Sequence, residues 1–199
     1  MYLKKIKILL LLFVLIFNCL ERSYPIEIKN KNECLIDARG DDGDIIYNRI
    51  SIDKKTSIQD LTLSAFTESQ WNLDISDWEK LTLGIKLKKD FLKYLYINQS
   101  AQLISGKILD YMAFDTDSTS IDTTTGIGLK FPIRWGFSFD IFEEYSINLE
   151  NLTAEYCESG ARLIYTPKDM YSLSFGWRHI DRIHNLDTDY VTLGLDLHF

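Results

Sequence analysis

The last ten residues, Tyr190-Val-Thr-Leu-Gly-Leu-Asp-Leu-His-Phe199, constrain the fold more than any other stretch. Val191, Leu193, Leu195, Leu197 and Phe199 recur at period two, while Tyr190, Thr192, Gly194, Asp196 and His198 fill the alternate places. Successive side chains of a strand point to opposite faces, so one wholly apolar face stands back to back with a small or polar one. A strand of roughly 10 residues with this alternation has the length needed to cross a bilayer when tilted.

The same rhythm recurs upstream. Leu61, Leu63 and Ala65 alternate with Asp60, Thr62 and Ser64, and Leu81, Leu83, Ile85 and Leu87 with Thr82, Gly84, Lys86 and Lys88. Thr125, Ile127, Leu129 and Phe131 alternate with Gly126, Gly128 and Lys130. Ile133, Trp135, Phe137, Phe139 and Ile141 oppose Arg134, Gly136, Ser138 and Asp140. Leu163 and Tyr165 oppose Glu158 and Arg162, and Tyr171, Leu173, Phe175 and Trp177 oppose Ser172, Ser174, Gly176 and Arg178. With one long strand over 93–114, this makes about eight strands, ten being the alternative count. Short turns are expected near 90, 132 and 168, and longer polar loops, such as Asp115–Asp122, between them. Aromatic residues flank the short turns (Phe91, Phe131, Trp135, Tyr165, Tyr171) and the loops (Trp78, Tyr145, Trp177), as in an interfacial girdle.

This arrangement, and above all Tyr190–Phe199 with its terminal aromatic, resembles the small bacterial outer-membrane β-barrels of OmpX/OmpA-like architecture. The resemblance implies an all-β, antiparallel up-and-down transmembrane barrel in the bacterial outer membrane. It also implies contact with outer-membrane lipids and recognition of the strand ending in Phe199 by the barrel-assembly machinery. With the apolar faces outward, Lys86, Lys130, Arg134, Asp140, Glu158, Arg162, Arg178 and Asp196 share the lumen. An eight-stranded barrel is just wide enough for side chains to fill. Both signs are present, so a lumen closed by ion pairs is expected, with no open pore. Were the apolar faces inward, the chain would be a soluble lipocalin-like carrier of lipids.

Outside the barrel, the chain opens on Lys4, Lys5 and Lys7 followed by the apolar run Ile8–Phe17, which reads as an export signal. The run closes on Leu15-Ile-Phe-Asn-Cys19, which is similar to a relaxed lipoprotein box and makes Cys19 a candidate for lipidation. The expected division is 1–19 signal segment, 20–56 polar N-terminal tail and 57–199 barrel. Ile46, Asn48, Ile50 and Ile52 hint at a short leading strand with impure faces. Net charge is −7, and near −10 without the leader, which argues against nucleic acid as a partner.

Chemistry-bearing patterns are sparse. Trp177-Arg-His-Ile-Asp-Arg-Ile-His-Asn185 is similar to the late His-x-Ser segment of PagL-like lipid A deacylases. That resemblance makes His179 a base and implies a lipid-modifying enzyme, but Asp181 stands where the serine is expected. Asp187 or Asp189 is available as the orienting acid. Asp115-Thr-Asp-Ser-Thr119 begins like a calcium loop, yet lacks Gly at the sixth position and Glu at the twelfth. Arg39-Gly-Asp41 matches an adhesion tripeptide and reads more plainly as a charged turn. Cys34 and Cys157 are expected as separate thiols. The reading is therefore a structural or surface-interaction barrel with an extracellular partner, without metal or cofactor.

Overall fold

The computed structural model describes residues 25–40, 43–56, 60–74, 76–110, 114–182 and 187–199. The export signal and Cys19 lie outside them. Ten strands follow one another: β1 (Ile26–Asp37), β2 (Ile45–Lys55), β3 (Leu61–Asn72), β4 (Asp77–Asp90), β5 (Leu95–Asp110), β6 (Phe114–Pro132), β7 (Phe137–Asn148), β8 (Ala154–Lys168), β9 (Tyr171–Arg182) and β10 (Thr188–His198). Each pairs antiparallel with its sequence neighbours, and β1 pairs with β10 to close the barrel. The architecture is the expected up-and-down barrel; the strand number is ten rather than eight.

The two further strands are β1 and β2, in the stretch expected to be a tail. Their inward positions are Lys31, Glu33 and Leu35, then Ile45, Tyr47 and Arg49, and several of these are buried. Their outward positions mix Ile28, Ile36, Ile46, Ile50 and Ile52 with Asn30, Asn32 and Asn48. The asparagines break the apolar run that marks the other strands. Cys34 sits on β1 and Cys157 on β8, both as free thiols.

The rims differ less than expected. One rim carries the connections 56–60, 91–94, 133–136 and 169–170; the other carries 38–44, 73–76, 111–113, 149–153 and 183–187. Asp115–Asp122, expected as a loop, belongs to β6. Pairing of β5 with β4 ends at Lys80↔Gly106, and that of β6 with β7 at Asp122↔Asn148. Beyond those points β5 and β6 pair only with each other and extend the wall as a two-stranded ribbon. No turn divides β5 at Ser105-Gly106.

The inner wall is fitted together by three pairs of one kind. Phe66 on β3 faces Gly84 on β4, Tyr96 on β5 faces Gly128 on β6, and Phe142 on β7 faces Gly160 on β8. In each pair the ring lies where a Cβ on the glycine would be, so the missing side chain makes the seat for the aromatic one. Such aromatic cover of strand glycines pins register and bends the sheet. A cation approaches each ring: Arg49 lies 3.9 Å from the Phe66 centroid, Lys88 4.3 Å from Tyr96, and Arg162 5.3 Å from Phe142.

Candidate functional site

Two regions gather polar groups beyond what a wall requires: the lumen and the outer face of β8–β10 near the 183–187 rim. In the lumen, Arg162 and Asp140 are cross-strand partners, and the guanidinium donates through Nε (3.0 Å) and Nη2 (2.7 Å) to Asp140 Oδ2. The Tyr96 hydroxyl donates to the other carboxylate oxygen at 3.1 Å. Arg178 reaches past β10 to Glu33 (2.7 Å) and also holds Glu158 (3.2 Å), while Lys31 binds Glu33 at 2.8 Å. Lys86 on β4 crosses to Glu144 on β7 at 3.1 Å, where Asn98 donates as well. Tyr47 donates to Glu68 at 2.8 Å. Lys86 spans the lumen from β4 to β7, whereas the Arg178 contacts run along the wall from β8 to β1.

Of the residues expected in the lumen, Lys86, Lys130, Asp140, Glu158, Arg162, Arg178 and Asp196 line one cavity of about 1140 Å³. Arg134 does not. It lies in the 133–136 turn, exposed, because the chain reverses there with Trp135 and Gly136 both at positive φ (61° and 81°). Trp135 accordingly sits at the rim, 87 % exposed, instead of within a strand. Among the interior acids and bases that sequence reading missed, five join the ion-pair and hydrogen-bond network: Lys31, Glu33, Arg49, Glu68 and Glu144. Four of them lie on β1, β2 or the continuation of β3; Glu144 has the parity of Asp140, but the alternation was followed only to Ile141. The cavity itself follows from the strand number, since barrel diameter grows with the number of strands.

The outer face inverts this chemistry. Ile127, Leu129, Ile141, Leu163, Leu173, Phe175, Leu193 and Leu195 are all exposed, and alternate with buried or lumen-facing neighbours. Phe137 stacks on Tyr165 at 4.6 Å and Tyr94 lies 5.4 Å from Phe131 near the 133–136 rim; Trp71 meets Trp78 edge-on at 5.2 Å near the opposite one. Polar islands interrupt the band, one where Gln99 bonds Thr123 and Thr125 on β5–β6 and another on β1–β2. Asn48 Nδ2 donates to Asn30 Oδ1 (3.0 Å) and Asn32 Oδ1 (2.6 Å), so the amides satisfy one another.

At the upper edge of the β9–β10 band, His179 and Asp189 are register partners, with His179 Nδ1 2.9 Å from Asp189 Oδ1. Arg39 forms an ion pair with the same carboxylate, and the Trp177 ring stacks on the imidazole at 6.0 Å, 18° from parallel. Of the two acids near His179 in the sequence, Asp189 is the one the structure shows in contact with it. Asp181 is exposed at outward parity, opposite Cys157 across the β8–β9 pair. Among the described residues no group of three or more His, Cys, Asp or Glu is placed to hold a metal ion; the side chains of Asp115 and Asp117 are outside the described set.

No family model matches the chain. No curated protein sequence matches it either. Among solved structures it is similar to the NanC porin (10% identity, TM-score 0.49, 87% of this chain and 99% of that one) and to the KdgM porin (9% identity, TM-score 0.49, the same shares). It is also similar to Neisserial surface protein A (16% identity, TM-score 0.37, 87% of this chain and 96% of that one).

Proposed function

We propose that the chain is a bacterial outer-membrane β-barrel that anchors in lipid, keeps its lumen closed to free diffusion, and presents the β5–β6 ribbon at the surface for an extracellular partner. The observation that supports this most is the sidedness of the closed barrel. Exposed Ile, Leu, Phe and Trp side chains cover its outside, while Lys, Arg, Asp and Glu line its inside. Exposed apolar area on this scale is characteristic of a surface that meets lipid or protein rather than water, and closure removes the unpaired strand edges that a bilayer would not tolerate. A lipocalin-like carrier would need the opposite arrangement, an apolar pocket inside a polar shell. Phe199, 74 % exposed at the free end of the wall, is available to the barrel-assembly machinery.

The ion pair crossing from β4 to β7, with the Arg178 network along the wall, supports a closed lumen. The test has two readings. The full chain, refolded in detergent micelles, should migrate differently on an SDS gel before and after boiling. In planar bilayers it should show no steady conductance, and Lys86→Ser with Glu144→Ser should open a measurable one. Folding without detergent and without a mobility shift would overturn the membrane reading; steady channel steps from the parent protein would overturn the closed lumen.

A further inference from the structure

At the loop end of the lumen, two carboxylates arrive by the same irregularity of the wall. Pairing of β3 with β4 runs to Gln70↔Lys80 and resumes at Trp71↔Trp78, so Glu79 is an extra residue on β4. Pairing of β7 with β8 runs to Ser146↔Tyr156 and resumes at Ile147↔Ala154, so Glu155 is an extra residue on β8. Alternation from Lys80 and Tyr156 would turn both acids to the outer face, yet both line the cavity. Asn72, buried on the inner wall, donates to Glu79 at 2.6 Å. Bulges at barrel rims re-aim side chains in this way, and they gather next to functional sites.

Asp122 stands between these two acids, on β6, at the foot of the β5–β6 ribbon. It is 3 % exposed and lines the same cavity, but its Oδ1 meets no hydrogen-bond donor. A buried carboxylate oxygen without a donor costs the fold stability, and a ligand that brings the donor relieves it. Asp74 lines this end as well. Against the four acids stand Lys80, its ammonium 5.5 Å from the Tyr156 ring centroid, and Arg182, which donates to Thr188 at 3.1 Å. A solvated acidic rim accounts for Asp74, Glu79 and Glu155. It does not call for a fourth carboxylate buried among them with one oxygen unmet.

We propose that the loop end of the lumen binds an organic cation with two or more ammonium groups, Asp122 being its buried anchor and Glu79 and Glu155 flanking acceptors. The ligand class follows from the spacing of the acids. Among the described residues no group of three or more His, Cys, Asp or Glu is placed to hold a metal ion. Carboxylates set apart on β4, β6 and β8 suit a ligand whose charges are also set apart, each met by a charge-assisted hydrogen bond. Deeper in, Glu33, Glu68 and Glu144 already face Arg178, Arg49 and Lys86. The interior therefore offers an incoming cation less than the mouth does, and the ligand stays at the mouth.

The inference rests on the barrel reading, and the experiment separates the two. Full-chain protein in nonionic detergent is first checked for its heat-dependent mobility. It is then titrated calorimetrically at low salt with spermidine, and with magnesium chloride at matched ionic strength. Saturable binding of spermidine is expected, tighter than that of magnesium. Asp122→Asn should weaken it about 10-fold or more. Glu155→Gln, at a partly exposed position that spares the fold, should weaken it by a smaller factor. Asp181→Asn, an exposed acid on the outer face of β9, should bind as the parent does. A heat-shifting barrel that binds no spermidine overturns the site alone. A loss as large in Asp181→Asn as in Glu155→Gln also overturns it, since diffuse attraction by the rim would then suffice. Magnesium binding as tight as spermidine binding overturns the ligand class. A chain that folds without detergent and shows no mobility shift overturns the membrane reading, and the lumen mouth goes with it.

Discussion

Gly84, Gly128 and Gly160 matter for what they lack. A methyl group on Gly128 would occupy the space of the Tyr96 ring, whose hydroxyl binds Asp140 and whose face meets Lys88. Gly128→Val should therefore displace the ring and disturb two polar contacts together. A loss of about 1–3 kcal/mol is expected from overpacking, read from urea unfolding in detergent by tryptophan fluorescence. Asp140 offers the complementary test. It is 2 % exposed and takes both Arg162 contacts on one oxygen. Arg162→Met strands that carboxylate and should cost roughly 3–5 kcal/mol, whereas Arg162→Met with Asp140→Leu should recover most of the loss, because the uncompensated charge is then gone. Equal unfolding midpoints for the single and double variants would contradict this.

At the scale of strands, β9 and β10 show how outward and inward substitutions part company. Leu195 is outward and flanked by Leu193 and Leu197, so Leu195→Arg should cost about 2–4 kcal/mol in a lipid-facing wall. Gly194, one residue away, faces in towards the Ser174 hydroxyl, and the same arginine there would report on space rather than on lipid. The amide island of β1–β2 predicts the reverse sign. Asn30→Leu, Asn32→Leu and Asn48→Leu together should leave the barrel as stable or raise its unfolding midpoint, because removing all partners of a hydrogen-bonded group leaves nothing unsatisfied. These strands also show what a reader of the sequence can and cannot see. β9 and β10 are legible because every outward position from Tyr171 to Trp177 and from Val191 to Phe199 is apolar. β1 and β2 are not, because three amides satisfied by each other imitate a polar tail. Arg134 was drawn into the lumen by alternation that ignored the reversal at Trp135-Gly136. His179 could be found from its place beside Trp177. Lys86 and Glu144, 58 positions apart with no motif joining them, are brought together only by the curvature of the wall.

For the whole molecule, the seam between β1 and β10 carries the closure. It runs from Lys29↔His198 to Asp37↔Tyr190 and is fastened on the lumen side by the Glu33–Arg178 pair that spans it. Deleting residues 26–37 should leave β2 and β10 as open edges. The product should lose its heat-dependent mobility and become sensitive to protease in detergent, while Phe199 is still present. If the shortened chain kept the shift, β2 would have paired with β10 to form a smaller barrel.

That seam also sets a timetable. Of the ten strands β1 is made first and its partner β10 last, so one edge of β1 must stay unmatched until every other strand has arrived, while β2 takes the other edge. Pairings between distant parts of a chain form slowly, since the intervening segment must first be brought together. Lys29, Lys31 and Glu33 place charges along one side of the waiting strand, which makes it a poor template for a second chain. A chain lacking β10 would keep nine strands of wall and leave the free edge of β1 facing β9 instead of its partner. Closure of the wall is thereby tied to the strand made last.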